Sequence, residues 1–139
     1  FSCHMISTVT NRGTLRFMIF EDKFNADVLL AFLKRLLKSV KRKVFLILDG
    51  HPVHKAKKVK RWIEANRNWI NLFLLPAYSP ELNPDELLNQ DVKTNAVRKK
   101  RALNKKEMKK NLLGYLRGRQ KRPELVKRYF HHKNVRYAA

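Results

Sequence analysis

The sequence predicts a mixed α/β domain, and three features of its 139 residues carry that prediction. Two short strands with a turn between them open the chain, a strand, a helix and a strand follow in the middle, and helices close it. A chain of this length buries roughly 68–70% of its unfolded surface, which is enough for one ordinary domain. We therefore predict a single domain over residues 1–139, with 93–139 as a basic helical flank.

The opening segment predicts a β-hairpin followed by a helix. Residues 5–10 and 15–20 are β-branched or apolar, and an Asn-Arg-Gly sequence at 11–13 supplies turn-forming residues. Asn25 is a suitable N-cap for the helix after the hairpin. Apolar side chains then recur at helical spacing and predict an amphipathic core helix; they are Leu29, Phe32, Leu33, Leu36, Leu37 and Val40.

The middle of the chain predicts two parallel strands. Residues 44–48 are apolar at every position, which is typical of a central strand covered on both faces. A helix is predicted from about Lys55 to Asn66, and a second buried strand from Ile70 to Leu75. Because a strand, a helix and a strand in succession form a crossover connection, these strands should pair in parallel.

The last part of the chain predicts further helices. Three prolines between residues 76 and 84 hold that segment extended, and Pro84 suits the first turn of the helix that follows. Asn104 and Glu107 form a capping pair for another helix. A short helix over about 125–130 closes the chain.

The charge is strongly positive and unevenly distributed. Thirty-two Lys and Arg against 11 Asp and Glu give +21, while 44% hydrophobic residues argue against disorder. Residues 93–139 alone carry 17 basic and two acidic residues, so a polyanionic partner is expected. The single cysteine excludes an internal disulfide or a zinc finger, and apolar runs of five or six residues are too short to cross a membrane. We expect a soluble protein in a reducing, intracellular compartment.

Two acidic residues occupy positions where α/β proteins bind ligands. Asp49 follows the buried strand, and ligands bind beyond the carboxyl ends of such strands; the Asp-Gly pair is equally consistent with a plain turn. Glu86 lies in the first turn of a helix, where acids commonly interact with the helix dipole, and Asp85 can fill that role as well. From the residues alone, both interpretations of each acid stay open.

These acids belong to two longer motifs. The first is Leu-Ile-Leu-Asp-Gly-His-Pro-Val-His-Lys at 46–55, and the second is Leu-Leu-Pro-Ala-Tyr-Ser-Pro-Glu-Leu-Asn-Pro-Asp-Glu at 74–86. In this order and at this distance, they resemble the catalytic domain of bacterial insertion-sequence transposases related to the mariner group, a DDE superfamily endonuclease domain. The resemblance covers nearly the whole chain. It implies an RNase H-like fold, in which helices flank a mixed sheet.

The resemblance also implies a triad of Asp, Asp and Glu that binds two divalent cations, Mg²⁺ or Mn²⁺. The second aspartate of the family corresponds to Asp49 and the glutamate to Glu86. The first aspartate lies on the first strand of the fold, which would precede Phe1. We therefore expect the C-terminal part of a transposase with its first strand missing, which binds DNA without cutting it.

Other motif residues are candidates for supporting roles. His54 matches a histidine of the family and could contact substrate or orient the metal site, or it could cap and pack at the start of the next helix. Tyr78 and Ser79 could contact DNA, although the surrounding prolines favour a rigid loop that positions the second acid. Asp91 is expected to be an exposed helix residue.

The basic flank supplies candidate contacts with DNA phosphates. A solvated helix face normally mixes charges of both signs, and this segment does not. The predicted contacts are Arg98, Lys99, Lys100, Arg101, Lys105, Lys106, Lys109 and Lys110.

The function predicted from these features is that of a transposase catalytic domain, metal-dependent DNA cleavage and strand transfer in transposition, with the domain incomplete in this chain. Its expected partners are double-stranded DNA, as transposon ends and target, and further copies of the chain, in the cytoplasm of a bacterium at the nucleoid. A non-catalytic, basic nucleic-acid-binding remnant is the alternative. A ribosome-associated or chaperone-like protein would explain the charge but not the motifs around Asp49 and Glu86.

Overall fold

The computed structural model describes residues 3–76, 79–99 and 101–139. The order of its strands and helices confirms the predicted mixed α/β organisation. These elements are β1 (His4–Val9), β2 (Leu15–Phe20), α1 (Ala26–Ser39), β3 (Val44–Leu48), α2 (Lys57–Ala65), β4 (Ile70–Leu74), α3 (Asp85–Val92), α4 (Lys105–Gln120) and α5 (Pro123–Arg128). Within those ranges, no helix is long and apolar enough to cross a membrane.

The chain divides into two compact units. Unit 1 comprises Phe1–Asp22 together with Glu81–Ala139, and unit 2 comprises Lys23–Pro80. Each unit contains one two-stranded sheet, β1 with β2 and β3 with β4. The expected single mixed sheet is therefore split, because each described strand pairs only with its neighbour in the sequence.

Unit 2 is built around the predicted parallel pair. β3 and β4 pair in register from Val44 with Ile70 to Leu48 with Leu74. The predicted cap of α1 is confirmed, since the Asn25 side chain accepts a 2.9 Å hydrogen bond from the Val28 N–H. The buried apolar side chains of this unit are Leu29, Phe32, Leu33, Leu36, Leu46, Val59 and Ile70.

Two predictions for unit 2 are wrong in detail. β3 is not covered on both faces: Leu46 is buried, whereas Phe45 is 64% exposed. A continuous apolar run does not distinguish a strand covered twice from one that exposes an apolar face. The helix expected from Lys55 is also interrupted, because Pro52–Lys55 forms a separate 3₁₀ turn and Ala56 is extended (ψ 145°) before α2 begins.

Unit 1 contains the predicted hairpin. β1 and β2 pair in antiparallel register from His4 with Phe20 to Val9 with Leu15, and Gly13 in the turn has a φ of +90°. The hairpin packs on α3, α4 and α5. The buried core of this unit consists of Leu15, Leu88, Val92, Ala96, Leu112, Leu116, Val126, Tyr129 and Phe130.

The predicted capping pair of α4 is confirmed. The Asn104 side chain accepts a 2.8 Å hydrogen bond from the Glu107 N–H. The Glu107 carboxylate in turn accepts from the Leu103 N–H at 3.3 Å, one residue before the cap. Two otherwise unpaired donors at the helix start are thereby satisfied.

Candidate functional site

Asp49 stands directly after β3, and its carboxylate is held by the turn that follows. Its Oδ1 accepts a 2.9 Å hydrogen bond from the His51 N–H. The same oxygen lies 3.2 Å from Nδ1 of His54, and that nitrogen lies 3.0 Å from the main-chain oxygen of Asp49. Because both neighbours of Nδ1 are acceptors, Nδ1 carries the proton and donates to them. The carboxylate is 48% exposed but fixed in orientation.

His54 packs in the turn before α2, as one of its two interpretations expects, and its ring also contacts Asp49. Its side chain is 9% exposed. Phe24 packs edge-on against the rings of His51 and His54, with ring centroids 5.3 and 6.1 Å apart. The sequence does not single out Phe24, because nothing local connects it to a turn so far along the chain. Whether His54 acts in catalysis stays a prediction.

The two acids at the start of α3 have different environments. The Asp85 carboxylate accepts a 2.7 Å hydrogen bond from the Ser7 hydroxyl in β1, and Ser7 is buried. Asn83 caps the helix, since its side chain accepts from the Asp85 N–H at 3.0 Å and its carbonyl accepts from the Glu86 N–H at 3.0 Å. Asp85 thus serves to anchor α3 to the hairpin. The sequence carries no signal for Ser7, which is 78 residues from Asp85.

Glu86 is half-buried and lies on the first turn of α3. The Asn89 amide, one turn later, lies 3.4 Å from its Oε1. The 3₁₀ turn before the helix is held from the far end of the chain, because the Tyr137 hydroxyl donates a 2.5 Å hydrogen bond to the Leu82 carbonyl. Both contacts restrict the segment that carries the Glu86 carboxylate.

Asp91 is not the exposed helix residue that was expected. Its carboxylate accepts a 2.5 Å hydrogen bond from the Tyr129 hydroxyl and lies 3.8 Å from the Arg119 guanidinium. Burial raises the pKa of Tyr129, and the Asp91 carboxylate raises that pKa further. Asp91 therefore joins α3 to the C-terminal helices through a contact between residues 38 positions apart.

The predicted phosphate-contacting residues that the structure describes are all exposed. Lys105 and Lys109, and likewise Lys106 and Lys110, are four residues apart, so these exposed lysines form a positive side on the first turns of α4. Lys105 is balanced in part by Glu21, whose carboxylate lies 3.9 Å from its ammonium group. The remainder of this side carries uncompensated positive charge. Arg98, Lys99 and Arg101, which precede α4 in the sequence, are exposed as well.

Two of the predicted site residues, Tyr78 and Lys100, lie outside the described residues. Ser79 is half-buried and directly precedes the 3₁₀ turn Pro80–Leu82. The proposed contact of Ser79 with DNA stays a prediction.

Asp49 belongs to unit 2 and Glu86 to unit 1. Over the described residues, no group of three or more His, Cys, Asp and Glu side chains is arranged to hold a metal ion. Each carboxylate by itself is a ligand of the kind that Mg²⁺ uses, since this ion commonly binds through one or two carboxylates, waters and substrate phosphates rather than in an all-protein cage. A shared cation between Asp49 and Glu86 stays a prediction.

The comparisons with known proteins agree with the motifs. Residues 1–109 match the family described as DDE superfamily endonuclease. No curated protein matches the chain.

Two solved structures have a similar fold. The catalytic domain of Mos1 mariner transposase superposes with a TM-score of 0.60 and 15% identity, over 98% of this chain and 80% of that chain. The Mos1 strand transfer complex gives a TM-score of 0.58 and 24% identity, over 86% of this chain and 39% of that chain. The chain thus spans about two fifths of the length of the transposase chain in that complex. The fold is the mixed α/β, RNase H-like fold of the mariner catalytic domain, with its sheet divided in two.

Proposed function

Because the chain belongs to the DDE superfamily endonuclease family, we propose that it is the catalytic domain of an insertion-sequence transposase that cuts and joins DNA. The observation that carries the proposal is the Asp49 carboxylate, which follows a strand end within the family motif and is fixed there by His54. One of the similar structures is a strand transfer complex, which supports strand transfer as the reaction.

In this proposal, Asp49 and Glu86 hold divalent cations, as the family generally does. Mg²⁺ or Mn²⁺ is expected, because carboxylates are hard oxygen ligands. When bound, such cations activate the attacking oxygen and stabilise the leaving oxygen of a phosphodiester. Two cations are expected in the complete site, and an upstream aspartate would complete the ligand set.

The residues around Asp49 and Glu86 leave each carboxylate available for binding a cation. His54 donates from Nδ1 to Asp49, so the carboxylate keeps one orientation and remains half-exposed to solvent. Asp85 anchors the start of α3 through Ser7, which leaves Glu86 free of that structural role. Ser79 and Tyr78 are proposed to support the site from the loop before it.

The positive side of α4 is proposed to contact the phosphates of double-stranded DNA. Such contacts fix position and contribute affinity but carry no sequence information. Transposon ends and target DNA would both be bound in this way. Self-association of the chain belongs to the same proposal and is tested by sedimentation on DNA.

The test combines metal binding with cleavage of a transposon-end duplex. Mn²⁺ affinity, and strand nicking by the protein extended upstream through the first aspartate, should both be lost in Asp49→Asn and in Glu86→Gln, whereas Glu64→Gln should retain both, since Glu64 is an exposed acid paired with Arg67. Unchanged Mn²⁺ affinity in Asp49→Asn would overturn the assignment. DNA binding that persists with neither metal binding nor nicking would identify a non-catalytic DNA-binding protein instead.

A further inference from the structure

One face of the β3–β4 sheet exposes aromatic side chains that the proposed chemistry does not use. Side chains alternate along a strand, so Phe45 and Ile47 of β3 share a face with Phe73 of β4, which stands opposite Ile47. Their exposures are 64%, 40% and 52%. Single exposed apolar residues are ordinary, but three neighbours on one face form a patch that marks a binding surface.

The two phenylalanines form a platform. Their ring centroids are 6.3 Å apart and their planes are inclined by 30°. The Lys43 ammonium group lies over the Phe45 ring, 5.7 Å from its centroid. Aromatic faces of this kind stack on any nucleobase, because every base presents a π-face.

The two segments that carry the platform contain basic residues and no acidic ones. Residues 40–48 and 66–76 contain no Asp or Glu, and Lys41, Arg42 and Lys43 lead into β3. Trp69, just before β4, lines an open cavity of about 470 Å³ together with Lys41 and Arg42. Aromatic and cationic side chains therefore occur together at the start of β3 and just before β4. Unpaired nucleic acid matches that pattern, since its bases stack and its phosphates are anionic.

We propose that the Phe45–Phe73 face binds single-stranded DNA by stacking unpaired bases on the two rings while Lys41, Arg42 and Lys43 contact the adjacent phosphates. A second copy of the chain is a poorer occupant, because it would bring two sets of these cations together. The inference is independent of the metal site, since none of its residues belongs to that site. Under this proposal, unit 2 binds the single strand that is released when a duplex opens.

The test compares a labelled oligothymidine with an abasic strand that has the same number of phosphates. Base stacking predicts tighter binding of oligothymidine, by roughly 5-fold to 150-fold for each stacked base. The Phe45→Leu/Phe73→Leu variant keeps an apolar face but removes the rings, so it should bind both strands alike. Phe45→Tyr/Phe73→Tyr should retain the preference. Leu103→Ala, at an exposed apolar residue of unit 1, is the control and should behave as the unchanged protein.

Each other outcome overturns the inference. Equal affinity of the unchanged protein for the two strands would show that phosphates alone are recognised. A preference that survives in the leucine variant would place the stacking elsewhere. If the unchanged protein forms dimers and Phe45→Glu dissociates them, the face is a contact between copies of the chain. Mn²⁺ affinity and duplex nicking measured in parallel separate these results from failure of the proposed function, in which both are absent whether or not single strands are bound.

Discussion

Nδ1 of His54 lies within hydrogen-bond distance of both the carboxylate and the main-chain oxygen of Asp49, at 3.2 and 3.0 Å. One buried ring thus fixes the backbone of the turn and the side chain that the turn presents. Partners of this kind determine how well a carboxylate is oriented toward a cation, even though they do not contact the cation themselves.

We predict that His54→Ala lowers Mn²⁺ affinity by about 10-fold to 100-fold, because an oriented carboxylate loses its hydrogen-bonding partner. Calorimetric titration measures the change. His51→Ala is the matched control, since His51 holds Asp49 through its main-chain N–H, which the substitution preserves. Equal losses in the two variants would show that general disturbance of the turn is responsible.

Substitution of Ser7 should lower stability, whereas substitution of Glu86 should affect catalysis and leave stability nearly unchanged. Ser7→Ala removes a buried hydrogen bond to a carboxylate and should lower the free energy of unfolding by about 1.5–3 kcal/mol. Glu86→Gln should change it by no more than about 0.5 kcal/mol, because no comparable anchor is lost. Urea denaturation followed by circular dichroism measures both. A larger loss in Glu86→Gln would give that residue the structural role assigned here to Asp85.

Substitution by alanine should lower the stability of the protein at Gly13 and raise it at Gly114. A Cβ at Gly13 would clash with the Pro123 carbonyl oxygen, on a backbone with φ of +90°, so Gly13→Ala should destabilise the protein by about 2–5 kcal/mol. Gly114 lies in α4 with open space around it, so Gly114→Ala should stabilise by about 0.8–1 kcal/mol. Thermal melts provide the comparison, and destabilisation by both would contradict it.

Tyr129 should make stability fall at high pH. Burial and the Asp91 carboxylate raise the pKa of Tyr129 above its unfolded value of about 10, so the folded state keeps a proton that the unfolded chain releases. Its contribution is therefore complete below that pH and is lost as the pH rises further. Tyr129→Phe should cost about 1.5–3 kcal/mol at neutral pH and weaken the decline at alkaline pH. An identical decline in both proteins would exclude Tyr129 as its cause.

The α4 lysines should determine how salt affects DNA binding. If the chain contacts roughly 6–10 phosphates, duplex affinity should fall by about 10³–10⁵ between ~50 and ~200 mM salt, with little sequence preference. Replacing Lys106, Lys109 and Lys110 by Gln should reduce the logarithmic salt slope by about 0.9 for each contact removed. The same changes at Lys34, Arg35 and Lys38 of α1 match the loss of charge. If that control reduces the slope equally, net charge rather than α4 governs binding.

Local patterns could be predicted from the sequence, and distant contacts could not. Asn25 and Asn104 cap helices within three residues of themselves, and a strand, helix and strand in succession led to the correct parallel pair. By contrast, the contact of Asp91 with Tyr129 depends on how separate helices pack, and no periodic pattern in the sequence indicates it. The exposed face of β3 was missed for a related reason, since hydrophobicity alone does not say what covers a strand.

Unit 1 is discontinuous in the sequence, which affects the order in which the two units can fold during synthesis. Unit 2 is one continuous stretch, Lys23–Pro80, whereas unit 1 joins both ends of the chain across hydrogen bonds that span 78 and 105 residues. Unit 2 can therefore fold during translation, while the β1–β2 hairpin, an arrangement with little stability alone, must wait for α4 and α5 to be synthesised. Until then its apolar side chains remain uncovered, so the hairpin is synthesised before unit 2 but is protected only after unit 2 is complete.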